Sequence, residues 1–338
     1  MADMPMVASA VIGFGITAVL GIWLVPLLRK LKYGQTILDI GPSWHKHKQG
    51  IPTMGGIMLV GGIAAGIIAG LAIIEGSDTP LSQVDLMRVV MGILMAAAFG
   101  LIGFTDDYIK VAKKRNLGLT ARQKLMGMFV VAGLYLLGLY VAGDTSTIVF
   151  VPFLGQWDFG LFYYPAAMLG IVFMVNVVNF NDGVDGLCSS VTFVVCMGVM
   201  ALSALLHFSG MSMFAAAVAG GCLGFLVWNY NPAKIFMGDT GSFFLGGCVV
   251  AMGFGLGLPV YLGLLGIIYI IEGVSVMIQM MYFKATRRLT GTPKRLFKMT
   301  PIHHHYEMLG WSEGKIVAVF SAVQLLFCGL AVYAAMRL

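Results

Sequence analysis

Apolar residues run along this chain in long unbroken blocks, and polar residues gather between them. Ten blocks can be drawn, at about 5–28, 52–74, 87–105, 123–142, 161–179, 186–206, 211–228, 241–257, 259–282 and 314–336. Each is close to the ~20 residues that a helix needs to cross a ~30 Å hydrocarbon core. None shows the alternation of single apolar and polar residues that marks the strands of a membrane barrel. The pattern predicts an all-α polytopic membrane protein of about ten transmembrane helices, forming one integral membrane domain over residues 1–338.

Two stretches refine this picture. Residues 147–165, TIVFVPFLGQWDFGLFYYP, are rich in β-branched and aromatic residues around Leu154-Gly155 and predict a short β-hairpin at the outer (periplasmic or extracellular) interface. In GGIMLVGGIAAGIIAG, Gly62, Gly66 and Gly70 stand four apart, a spacing that lets helices approach closely. Packing within the chain is the expected use, with a dimer seam as the weaker alternative. The first apolar block has neither a basic leader nor a small-residue exit, so it is expected to remain as a helix.

Composition supports the membrane reading: 59% of residues are hydrophobic and 11% charged. Of the 21 Lys and Arg, all but Arg88 and Arg337 fall on one set of loops, Lys32, Lys46, Lys114 and Arg115 among them. That side is expected to be cytoplasmic, which with an even number of spans puts both termini outside. The formal charge of +6 is then a local cytoplasmic excess, suited to anionic lipid headgroups or a nucleotide. No basic domain outside the membrane points to nucleic acid. Cys188, Cys196, Cys222, Cys248 and Cys328 all fall in predicted spans without CxxC spacing, and read as small packing residues. GFGITA at Gly13 has the letters of a dinucleotide fingerprint but lies inside an apolar block, and no Walker A sequence occurs.

The acidic residues change the picture most. Asp106-Asp107 in FTDDYIK, Asp182 and Asp185 in NFNDGVDG, and Asp239 in FMGDTGS each stand at the end of an apolar block, all on the predicted cytoplasmic side. Carboxylates gathered there repel one another unless a cation joins them. Asp106 and Asp107, being adjacent on a helix, point in different directions and are expected to serve different partners. Asp182 and Asp185 share a face if a helix starts there, with Asn179 and Asn181 beside them; the plain alternative is an Asx-Gly turn. Asp239 either caps the helix it opens or holds Mg²⁺ against a phosphate, since Mg²⁺ uses one or two carboxylates plus substrate phosphates. Phe236 could stack on a flat base.

His303-His304-His305 do not suit a zinc site from this run alone, because three consecutive residues share no helix face and zinc ligands are usually spaced. Phosphate or sugar binding by imidazoles beside the acids is the functional alternative to a surface loop. His45 and His47 read equally well as interfacial packing. Glu272, deep in the ninth block, either lines a groove or pairs with a nearby polar residue.

GIPTMGG, FTDDYIK, NFNDGVDGL, FMGDTGS and PIHHHYE, in this order and separated by spans, resemble the motifs of the polyprenyl-phosphate N-acetylhexosamine-1-phosphate transferases over almost the whole chain. The HHH run with Glu two residues on resembles the muramoyl-pentapeptide branch. The resemblance implies an enzyme of the bacterial cytoplasmic membrane. It would move the phospho-sugar of UDP-N-acetylmuramoyl-pentapeptide to undecaprenyl phosphate, giving lipid I and UMP, on cytoplasmic active-site loops with Mg²⁺ as cofactor. It implies Asp239 as the metal ligand, Asp106 and Asp107 as the catalytic pair, and Lys124 and Lys48 near the phosphates. It further implies Asn179, Asp182, Gly183, Asp185, Asn229, Phe236 and Gln279 at the nucleotide, with His303 catalytic, His304 and His305 in substrate binding, and a homodimer. In-line transfer in one step is the expected mechanism; a covalent path through an Asp nucleophile is the rival.

Overall fold

The computed structural model describes residues 4–31, 48–113 and 117–337. His45, His47, Lys32, Lys46, Lys114 and Arg115 lie outside the described residues. The described chain is built almost wholly of helices. In order they are α1 Met4–Lys30, α2 Gly56–Glu75, α3 Gln83–Ala112, α4 Ala121–Val141, α5 Tyr163–Phe180, α6 Leu187–Leu206, α7 Ser209–Asn229, α8 Gly238–Gly255, α9 Leu262–Leu265, α10 Ile267–Thr290, α11 Ile302–Glu307 and α12 Glu313–Ala335.

The hairpin falls where its β-branched and aromatic residues place it: β1 Ile148–Val151 pairs antiparallel with β2 Gly155–Asp158, Val151 opposite Gly155. Gly62, Gly66 and Gly70 face inward. A Cβ at Gly66 would meet the Ser9 carbonyl of α1 at 2.6 Å, and α1 packs on both α2 and α7. The stripe is a seam within the chain. All five cysteines are buried and free, as small packing residues should be.

Among the described residues, nine helices are long and apolar enough to cross a membrane. The eighth predicted span, α8, is not one of them. It opens on Asp239, Thr240 and Ser242 and carries six glycines, yet every residue from Thr240 to Gly255 is buried. Its surroundings are protein, chiefly α3, α5 and α2, so it does not need the apolar side chains that a lipid-facing helix needs. The ninth predicted span is broken at Gly266 into α9 and α10. Gln324 of α12 fills the break: its amide nitrogen donates to the Leu265 carbonyl at 2.9 Å and its oxygen accepts from Ile268 N–H at 3.3 Å. Backbone groups freed inside a membrane need such a partner. Beyond the break, α10 runs past its predicted end to Thr290, and the loop that follows contains α11.

Candidate active site

Helix α3 delivers Asp106 and Asp107 to the start of α8 because Gly103 lets the two backbones touch. A Cβ at Gly103 would collide with the carbonyl of Asp239. Gly238 begins α8 with φ +69°, and a side chain there would strike both Thr53 and Asp107. Within this junction one oxygen from each of Asp106, Asp107 and Asp239 lies within 4.8 Å of the others.

Each carboxylate is held differently. Asp107 caps α8: one oxygen accepts from Thr240 N–H at 2.9 Å and Thr240 Oγ1 at 2.7 Å, the other from Asp239 N–H at 3.3 Å. The capping role that the sequence offered to Asp239 thus belongs to a residue of another helix; α8 has no side-chain cap of its own. Asp106, fully buried, accepts from Leu119 N–H at 2.7 Å through Oδ1. Its Oδ2 meets the ammonium groups of Lys110 at 2.6 Å and Lys124 at 3.1 Å. Asp239 keeps 18% of its side chain exposed and meets Lys124 at 2.7 Å and Lys110 at 3.5 Å. Its other oxygen accepts from Asn179 Nδ2 at 3.1 Å, and Asn179 also donates to Ser242 at 2.7 Å. Lys124 stands 5.6 Å above the ring of Phe243. Three carboxylates therefore face two ammonium groups, leaving one negative charge in excess.

A second cluster lies beside the first. Lys48, 4% exposed, is clasped between Asp185 at 2.6 Å and Glu313 at 2.8 Å. Asp185 also accepts from Ala233 N–H at 2.9 Å and Asn231 Nδ2 at 3.2 Å. Asn229 braces the same loop, accepting from Gly186 N–H at 3.1 Å and donating to the Ile235 carbonyl at 2.8 Å. The Phe236 backbone pairs with Pro52 and Gly55, tying GIPTMGG to FMGDTGS. Asp182, on the loop between α5 and α6, has its carboxyl pushed well above the ordinary range. Burial is the main cause, then the charges of Asp239, Asp107 and Asp185, against an opposing pull from Lys48.

The remaining candidates are held by partners outside the two clusters. Gln279 spends its amide on the loop before α11: its oxygen accepts from Leu296 and Phe297 N–H, both at 3.0 Å, and its nitrogen donates to the Phe297 carbonyl at 3.1 Å. The three histidines of α11 take three partners: His303 meets Glu272 at 3.1 Å, His304 meets Glu307 at 2.5 Å, and His305 Nδ1 accepts from Lys298 N–H at 3.2 Å.

Sequence reasoning missed Lys110, Glu313, Thr240 and Ser242. Lys110 was readable, since it stands three and four residues past the aspartates on one helix. Glu313 carries no local signal, because its partners come from far along the chain.

The model of glycosyl transferase family 4 matches residues 89–256, which hold both aspartate motifs and the opening of α8. The similarity extends further. A phospho-N-acetylmuramoyl-pentapeptide-transferase of Clostridium perfringens strain SM101 is 43% identical over 332 residues, covering 98% of this chain and 97% of that protein. The chain belongs to the phospho-N-acetylmuramoyl-pentapeptide-transferase family. Members of the same name from Heliobacterium modesticaldum and Halalkalibacterium halodurans are 41% and 42% identical, each with 98% of both chains covered. As a member of the phospho-N-acetylmuramoyl-pentapeptide-transferase family, it is a phospho-sugar transferase of peptidoglycan synthesis and a multi-pass membrane protein. It takes a sugar nucleotide and a lipid carrier.

Proposed function

We propose that the chain transfers phospho-N-acetylmuramoyl-pentapeptide from UDP-N-acetylmuramoyl-pentapeptide to undecaprenyl phosphate, forming lipid I and releasing UMP at the cytoplasmic face of the bacterial membrane. The observation that carries this reading is the meeting of Asp106, Asp107 and Asp239 with Lys110 and Lys124 at the buried start of α8. Diphosphate chemistry needs cations placed around it and a partly exposed opening, and both are present. The excess of Lys and Arg on the loops at this end supports the cytoplasmic assignment.

The residues present fit Mg²⁺. The donors are all hard oxygens, they carry one uncompensated negative charge, and Asp239 is exposed enough to take a ligand. Asp239 would hold the ion, with Asp106 and Asp107 beside it. Bound there, Mg²⁺ supplies neutralisation of diphosphate charge and of the UMP leaving group.

The chain's own groups do the rest. Lys124 and Lys110 exchange their carboxylate partners for phosphate oxygens as the donor enters. Asp107 keeps the α8 amides in place, which fixes the position of Asp239. The acceptor phosphate needs a base, Asp106 or Asp107, only in part, because a phosphate monoester with second pKa about 6 is mostly dianionic near neutrality. Direct in-line displacement fits better than a covalent aspartyl intermediate. Attack by Asp107 would break the α8 cap, and Asp106 is fully buried, with Oδ1 held by Leu119 N–H and Oδ2 by Lys110 and Lys124.

Purified protein supplied with UDP-N-acetylmuramoyl-pentapeptide, undecaprenyl phosphate and Mg²⁺ should release UMP, and should do so poorly with UDP-N-acetylglucosamine. Equal use of the two donors, or no release from either, refutes the assignment. Exchange of UMP into the donor without lipid phosphate would favour the covalent path. The same reading includes a homodimer, checked by light scattering of the detergent-solubilised protein.

A further inference from the structure

One carboxylate at this end is not absorbed by the acidic clusters. Glu272, on α10, is fully buried. Both oxygens of its carboxylate meet His303: Oε1 lies 3.1 Å from Nδ1, and Oε2 accepts from the His303 backbone N–H at 3.4 Å. A carboxylate inside a membrane helix is costly unless both oxygens are satisfied, so this double grip fixes ring and main chain together. A carboxylate accepts, so Nδ1 donates to it, and Nε2 projects from the opposite edge of the ring.

His303 is 1% exposed, and its Nε2 has no partner among the described residues. That edge rests on Gly183: a Cβ added there would strike Nε2 and Cε1, and would come within 3.3 Å of Cδ2. Gly183 lies between Asp182 and Asp185, on the loop that joins the acidic cluster to the Lys48 cluster. Glu272, the imidazole and the bare backbone of Gly183 thus stand in a row, from a membrane helix to the middle of a site loop.

We propose that Glu272 is a positioning residue: through the His303 ring it sets the height of the Asp182–Asp185 loop, and so governs binding of the nucleotide half of the donor. This rests on the sugar-nucleotide reading above. The loop is thereby assigned to the nucleotide and not to the lipid substrate, so the two substrates should respond differently. Glu272→Leu should raise KM for the UDP-sugar by on the order of tenfold or more, with kcat falling less and KM for undecaprenyl phosphate unmoved. Glu272→Gln retains an acceptor for Nδ1–H and should restore most of the donor affinity. Gly183→Ala disturbs the row from its far end without touching Glu272 and should give the same signature. Combined with Glu272→Leu it should add less than its separate effect.

Titration with UMP, followed by calorimetry, reads the same loop without turnover. A protein that binds UMP but makes no lipid I refutes the transfer assignment while the variants still decide the role of Glu272. A protein without affinity for UMP overturns both. The inference is also overturned if Glu272→Leu binds donor and UMP within about twofold of the parent, or if both substrate KM values rise together. A collapse of kcat at constant KM, or Glu272→Gln behaving as badly as Glu272→Leu, overturns it equally.

Discussion

At the end of the bundle that carries the hairpin, Arg88 binds Asp144 at 2.8 Å and Asp85 at 3.6 Å and lies 5.8 Å from the ring of Phe208. Arg88, Asp144 and Phe208 form one wall of a cavity of about 450 Å³ lined mainly by Leu, Phe and Tyr side chains. At the other end of the same helix, 18 residues or about 27 Å away, Asp106 and Asp107 meet Asp239 and two lysines. Both ends hold more acid than base. At the hairpin end the cation sits between its acids, and its guanidinium closes α3 onto the end of α4. At the site end three carboxylates converge, each fixed by a group from another element, so their repulsion is held in place by the fold. A cluster held against its own charge is poised for a ligand that relieves the charge; an ion pair that closes two helices is a clasp.

The sharpest way to break this comparison is to remove charge at the centre. Asp239→Asn should lower UMP release by about 10³-fold, the size expected when a preorganised electrostatic group is lost, while melting in detergent stays close to the parent. Full activity in that variant would end the metal role. Lys48→Met tests the neighbouring cluster. It leaves Asp185 and Glu313 facing each other in a buried site, and should cost about 3 kcal/mol of stability, read as a large fall in melting temperature. Arg88→Met at the hairpin end should cost about 1 kcal/mol, since that pair is partly exposed, with kcat and both KM values unchanged. Loss of turnover in that variant would show that the far end is more than a clasp.

The lipid-facing elements were open to reading from sequence, since long apolar blocks leave a chain little choice but to span. The hairpin was visible in its β-branched run, and the aspartates stood out because acids at the ends of apolar blocks are costly. What escaped was decided by distant partners. α8 was read as a span, but its enclosure by α3, α5 and α2, which makes its polar opening tolerable, was not legible. Asp107 caps it from across the helix pair, so the local capping pattern pointed to the wrong aspartate. Gln279 looks free in sequence, yet its amide is consumed by a loop 17 and 18 residues later. Glu313 joins Lys48 across 265 residues, a distance over which no pattern operates. The ninth block was drawn unbroken through Gly266, and only the fold reveals a break there and Gln324 filling it.

The finest distinction between the two ends is in their response to pH, and Asp182 sets its sign. Its carboxyl binds a proton more tightly in the folded chain than its ordinary value of 3.8 allows, through burial first and the neighbouring acids second. Such a group contributes stability in full below its unfolded pKa and loses it as pH rises through the folded value. The parent should therefore melt at progressively lower temperature as pH climbs through that window, and level off above it. Asp182→Asn preserves the neutral shape and removes this slope, so the variant should gain on the parent as the buffer becomes alkaline. Mg²⁺ in the acidic cluster would offset the repulsion from Asp239 and Asp107 and should shrink the gap between the two curves. Arg88→Met, at the end without such a cluster, should leave the slope intact. If the parent and Asp182→Asn curves run parallel from acid to alkaline pH, Asp182 binds its proton alike in the folded and unfolded chain, and the site end is less strained by its own acids than this geometry implies.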